Sequence, residues 1–233
     1  MTRRAAWNTR VVGVVKTRSI AAAGGVLLAV LAGAATARTP TTASAQTPSP
    51  AGAAQTQAEA ARGREVFEAK QCGRCHVQGG SNAGVPSLET LRQPQGAWEL
   101  TGRFWNHVPA MFTALTAQNV PWPSFTPDEM AALMTYLGAD PARDPKPDPL
   151  RGVGTLIDKG CLKCHRLRGE GGTVAPEFGE RTAAFESPYV WAARIWTHTP
   201  VMAQTAMRLG VLYPRFSGNE MPHLVAYLKN ARR

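Results

Sequence analysis

The chain has 233 residues and a formal net charge of +10, from 26 Lys/Arg against 16 Asp/Glu. Six of the basic residues and no acidic ones lie in residues 1–45, so the remainder carries 20 against 16, an excess too small to suggest a nucleic-acid-binding surface. The remainder is itself uneven: residues 58–140 hold six basic and eight acidic side chains, residues 150–233 twelve and six. That asymmetry bears on docking partners and leaves the fold open.

Residues 1–18 carry Arg3, Arg4, Arg10, Lys16 and Arg18 with no acidic residue, and an uncharged run rich in Ala, Leu and Val follows from Ser19 to Ala37. This is the layout of a secretory signal, with small-residue cleavage sites at Ala35-Thr36-Ala37 and Ala43-Ser44-Ala45. The run is also close to the roughly 20 residues that cross a bilayer core, so an N-terminal anchor over residues 1–45 is the alternative. Residues 46–57, rich in Ala, Thr, Pro, Ser and Gln, read as a disordered tether.

All four cysteines fall in two copies of one pentapeptide, Cys72-Gly73-Arg74-Cys75-His76 and Cys161-Leu162-Lys163-Cys164-His165. This is the pattern of c-type haem attachment, so two covalent haem c groups per chain are expected. Thiols three positions apart share one helical turn, where each can form a thioether to a porphyrin vinyl group. The following histidine, His76 or His165, is placed to become the proximal iron ligand. A four-cysteine zinc site would bring its pairs much closer than the 89 residues between Cys72 and Cys161. A thioredoxin-like redox pair would follow a strand in a βαβ pattern, which is absent.

The repeat extends beyond the cysteines. Arg62-Gly63 corresponds to Arg151-Gly152 at the same offset of 89, and Arg103-Phe104-Trp105-Asn106-His107-Val108-Pro109-Ala110-Met111 corresponds to Arg194-Ile195-Trp196-Thr197-His198-Thr199-Pro200-Val201-Met202 at 91. That offset also relates Pro123, Phe125, Glu129 and Met130 to Pro214, Phe216, Glu220 and Met221. Two modules follow, residues 58–140 and 150–233, joined by a Pro-rich linker at 141–149. Each is helical by pattern. Thr126-Pro127-Asp128-Glu129 and Ser217-Gly218-Asn219-Glu220 predict capping boxes, and behind them Met130, Leu133, Met134 and Leu137, like Met221, Leu224, Val225 and Leu228, follow helical spacing.

Each module resembles a class I cytochrome c domain, and the tandem resembles exported two-haem cytochromes c. The resemblance implies an all-α fold of two tandem domains, each packed round a covalent haem, with the helix before the haem motif against the C-terminal helix. It also implies that Pro86 and Pro176 accept a hydrogen bond from the proximal histidines through their carbonyls.

Three pairs of candidate sixth ligands survive the repeat: Met111 with Met202, His107 with His198, and Met130 with Met221. Met130 and Met221 belong to the apolar helical stripe and read as core. In the His-x-Pro-x-Met element the proline is expected to interrupt a helix and free the next turn, which points to Met111 and Met202 as distal ligands, with His107 and His198 as the alternative. Trp105 and Trp196 are expected to pack on haem. The function expected is transport of single electrons between respiratory redox proteins in the periplasm, the basic second module favouring acidic partner surfaces. The alternative is a haem enzyme of peroxidase or thiosulfate-oxidising type with one exchangeable site.

Overall fold

A computed structural model describes residues 50–80, 85–180 and 185–231. The secretory signal or anchor expected at residues 1–45 lies outside the described residues, as do residues 46–49 of the tether. Among the described residues no helix is long and apolar enough to cross a membrane.

The first module opens with α1 (Pro50–Ala69), which begins eight residues before position 58. The segment expected to be a disordered tether is therefore helical from Pro50; its Ala and Gln residues are good helix formers, and no proline follows Pro50 before residue 86. A short α2 (Leu88–Leu91), a long α3 (Ala97–Ala117) and α4 (Pro127–Tyr136) complete it. The second module repeats the plan with α5 (Pro149–Asp158), α6 (Pro188–Arg208) and α7 (Glu220–Asn230). It adds a two-residue hairpin, β1 (Arg166–Leu167) paired antiparallel with β2 (Glu170–Gly171). Arg168 and Gly169, both at positive φ (55° and 81°), make the two-residue turn; strands this short leave no alternation in the sequence.

In each module the first helix crosses the last. Gly63 lies so close to Ala132 that an added Cβ would collide with the Ala132 carbonyl, and Gly152 meets the His223 carbonyl in the same way. The repeated Arg-Gly pair thus marks a backbone-to-backbone crossing that only glycine permits. Lys70–Glu129 (2.9 Å) and Lys159–Glu220 (2.8 Å) are equivalent ion pairs beside these crossings.

The two capping boxes differ. Thr126 Oγ1 accepts from the Glu129 amide (3.1 Å), and the Glu129 carboxylate accepts from the Thr126 amide (2.8 Å), a complete box. The Thr126 amide, followed by the hydrogen bond from Lys70, holds the Glu129 carboxyl below its usual range. At Ser217 only the return bond forms, from the Ser217 amide to Glu220 (2.7 Å), and α7 starts at Glu220 behind Asn219. Gly218 at φ 48° turns the chain left-handed where Pro127 in the first module fixes a helical φ.

The linker is ordered. Asp144 accepts from the Trp98 amide (2.8 Å) and so caps α3, whose own N-cap, Gly96, has no side chain to do so. Asp148 caps α5, accepting from the Leu150 amide at 2.9 Å.

Two apolar cores form, and each takes in a tryptophan from the opposite module. Trp196 of α6 is buried in the first core, with Phe104, Phe125 and Leu133; Trp105 of α3 is buried in the second, with Phe216, Leu224 and Leu228. The exchange is reciprocal. Trp105 Nε1 donates to Pro214 O (2.7 Å) and Trp196 Nε1 to Pro123 O (2.8 Å). Trp105 stacks on Tyr213 (5.4 Å, 21°) and Trp196 on Trp122 (4.8 Å, 21°); Phe216 and Phe125 meet the same two indoles edge-on. Trp105 and Trp196, expected to pack on haem, make these contacts with the opposite module. A duplicated surface can dock on its own copy through a two-fold-like contact, because every patch finds its counterpart.

Candidate haem sites

Both cysteine motifs are built alike. The chain leaves the preceding helix through a left-handed residue, Gln71 (φ 60°) or Gly160 (φ 65°), and enters a 3-10 turn over Cys72–Arg74 or Cys161–Lys163. The His76 amide donates to Cys72 O (3.0 Å) and the His165 amide to Cys161 O (3.0 Å), so two cysteines and a histidine occupy one closed turn. Cys72 packs against the first core and Cys161 against the second. Burial pushes both of these thiols up to about 11, which keeps them protonated at neutral pH. None of the four cysteines is in a disulfide. Among the described residues no group of three or more His, Cys, Asp or Glu side chains is arranged to hold a metal ion, so no four-cysteine zinc site is formed.

Each motif histidine meets a proline carbonyl: His76 Nδ1 lies 3.0 Å from Pro86 O and His165 Nδ1 2.8 Å from Pro176 O. A carbonyl only accepts, so the proton sits on Nδ1 and Nε2 is left as the coordinating nitrogen. Local bonds position the two prolines. In the first module the Leu88 amide donates to Val77 O (3.1 Å), and Ser87 caps α2. In the second the Ala175 amide donates to Cys164 O (3.0 Å). Phe178 stacks on the His165 ring at 4.5 Å, a neighbour that nothing in the motif foretold. Burial lowers the His165 pKa, and the Pro176 carbonyl opposes that shift.

Opposite each motif histidine stands a histidine of the long helix. The His76 and His107 rings are 5.7 Å apart between centres, those of His165 and His198 6.1 Å, and both pairs are inclined at 55°. His107 Nε2 is buried without a hydrogen-bond partner. Burial, and then the proximity of His76, lower the His107 pKa. Met111 and Met202 lie one turn further along α3 and α6, partly buried against the first and second cores.

The prolines do not interrupt these helices, contrary to expectation. Pro109 sits inside α3 and Pro200 inside α6, and both helices run 21 residues. A proline lacks the amide that would bond the carbonyl four residues back, which here belongs to Trp105 and Trp196. Those two carbonyls accept from the other module instead: Tyr213 Oη donates to Trp105 O (3.0 Å) and Trp122 Nε1 to Trp196 O (3.2 Å). Tyr213 and Trp122 are equivalent in the repeat, which is the signal that could have paired them. Asn106 adds a contact with no counterpart at Thr197, donating to Phe216 O (2.6 Å) and accepting from the Phe216 amide (2.8 Å).

The helical architecture and the Cys-x-x-Cys-His turns, each with its histidine bonded to a proline carbonyl, are arranged as covalent haem attachment requires. Residues 60–139, which coincide with the first module, match the family model for Cytochrome c. A domain of this family implies covalently bound haem c and haem-based electron transfer. No curated protein and no solved structure matches the chain.

Proposed function

We propose that the chain is an exported two-haem c-type cytochrome that carries single electrons between respiratory redox partners. The observation that carries this reading is the second proximal arrangement: His165 with Pro176 at 2.8 Å repeats His76 with Pro86 at 3.0 Å, each behind its own pair of cysteines. Cys72 and Cys75 hold one haem c through thioethers, and Cys161 and Cys164 hold the other. His76 and His165 are the proximal ligands, their basicity raised by the Pro86 and Pro176 carbonyls. When bound, each haem supplies a one-electron couple. The residues of the chain orient the imidazoles, and the apolar cores around Cys72 and Cys161 restrict water.

Residues 1–45 serve as a secretory signal or membrane anchor for a periplasmic protein. The partners are redox proteins with acidic surfaces, drawn to the second module, where Lys163 is exposed in the haem-attachment turn. Arg168 takes less part in docking, because its Nε is held by the Ala231 carbonyl.

Intact-mass measurement and redox titration of the purified holoprotein test the reading. Two covalent haems and two electrons per chain are expected, with one haem remaining in a Cys161→Ala/Cys164→Ala variant. A single haem in the unaltered protein refutes the two-haem assignment, and turnover of peroxide or thiosulfate at an open haem would replace the carrier by an enzyme.

A further inference from the structure

We infer that His107 and His198, in place of Met111 and Met202, are the sixth ligands, so that both irons are held by two histidines. The inference rests on the two-haem reading above and concerns what stands on the far side of each iron.

The spacing of the paired rings fits a shared iron. A metal–imidazole bond of about 2 Å, with the ring centre about 1 Å behind the nitrogen, sets two rings that share one iron about 6 Å apart between centres. The observed distances are 5.7 Å for His76 with His107 and 6.1 Å for His165 with His198. The common inclination of 55° lets both rings of a pair stand on one porphyrin plane, rotated about the axis they share.

His107 Nε2 is buried and without a partner, a costly state that ligation relieves. His76 has its Nδ1 committed to Pro86, which leaves Nε2 as its coordinating nitrogen.

Both long helices are intact. The case for methionine depends on Pro109 and Pro200 breaking α3 and α6 and releasing the turns that carry Met111 and Met202, but both helices continue through the prolines. On an unbroken helix the residue four positions on is displaced by about 6 Å along the axis, so His107 and Met111 cannot both reach one iron. Of the two, His107 is the one that faces the proximal ring. The packing of Met111 and Met202 against the cores makes them walls of the sites.

The holoprotein itself supplies the first test. Its ferric form is expected to lack the near-infrared charge-transfer band of methionine-ligated haem, and its ferrous form to bind no carbon monoxide at either iron. His107→Ala should open one iron, raising the carbon-monoxide-binding fraction from none to about half of the haem, and His107→Ala/His198→Ala should raise it to all. Met111→Ala and Met202→Ala should leave both irons six-coordinate. Should a histidine variant fail to accumulate, His107→Met offers a second readout: it should introduce the methionine band on one iron. A methionine band in the unaltered protein that Met111→Ala or Met202→Ala abolishes overturns the inference. Purified protein without covalent haem would instead overturn the two-haem reading, and this ligand assignment with it.

Discussion

Pro109 and Pro200 are the residues whose sequence meaning and structural meaning diverge most. Read locally, a proline in a helical stretch predicts a break. In the fold the break does not occur, because the carbonyl each proline orphans, Trp105 O or Trp196 O, is satisfied by Tyr213 or Trp122 of the other module. The missing donor is visible in the sequence; the repeat pairs Tyr213 with Trp122 but links neither to a carbonyl about 110 or 75 positions away. Burial pushes the Tyr213 phenol well above the usual tyrosine range, so it stays protonated and keeps donating across the accessible pH range. A double-mutant cycle checks this account. Tyr213→Phe alone strands the Trp105 carbonyl and should cost about 1–3 kcal/mol of unfolding free energy. In a Pro109→Ala background the restored backbone amide can bond Trp105 O, and the same Tyr213→Phe change should cost less than about 0.5 kcal/mol. Equal costs in the two backgrounds, measured by denaturation of the holoprotein, would show that proline and phenol are not linked.

At the scale of elements, much is legible. The Thr126 box, the helical stripes behind both caps and the Cys-x-x-Cys-His turns stand where the sequence pattern puts them, because each is fixed by neighbours within about four positions. The half-formed cap at Ser217 is not legible, since Ser217 and Glu220 satisfy the pattern while Gly218 redirects the backbone. The order of the linker escapes the sequence for a related reason: Asp144 caps α3, an element 46 positions upstream, and composition alone carries no trace of that. The repeated glycines are visible as a repeat, and the helix crossings give them a cause. Gly63→Ala and Gly152→Ala should each destabilise the protein by about 1–3 kcal/mol, because the methyl group meets rigid backbone of α4 or α7. Gly154 is the control. It lies in α5 with nothing within 4 Å of where an added methyl group would stand, so Gly154→Ala should be neutral or stabilise by up to about 1 kcal/mol through helix propensity. Thermal unfolding of the three variants side by side decides it; a Gly63→Ala protein as stable as Gly154→Ala would refute a backbone-limited crossing.

For the whole molecule, the likeness in sequence between residues 58–140 and 150–233 has the most reach. Two copies of one module need not touch, and a Pro-rich linker suggests that they do not. Here the copies dock, because the residues repeated at offset 91 include both a donor set and its acceptor set: Trp105 and Trp196 insert, while Pro123, Phe125, Pro214 and Phe216 receive. Each core is thereby completed by a side chain encoded in the other module, so stability should be shared between them. Trp105→Ala removes an indole that is 8 % exposed and Trp196→Ala one that is 5 % exposed, and each should cost about 3–5 kcal/mol. The location of the damage is the sharper observable. Trp105→Ala, a change in the first module, should raise amide exchange chiefly around Pro214–Phe216 and α7 of the second, where the cavity opens. Trp196→Ala should do so around Trp122–Phe125 and α4 of the first. If exchange in either variant rises only within the module that carries the substitution, the cores are independent and the reciprocal exchange of tryptophans does not couple them.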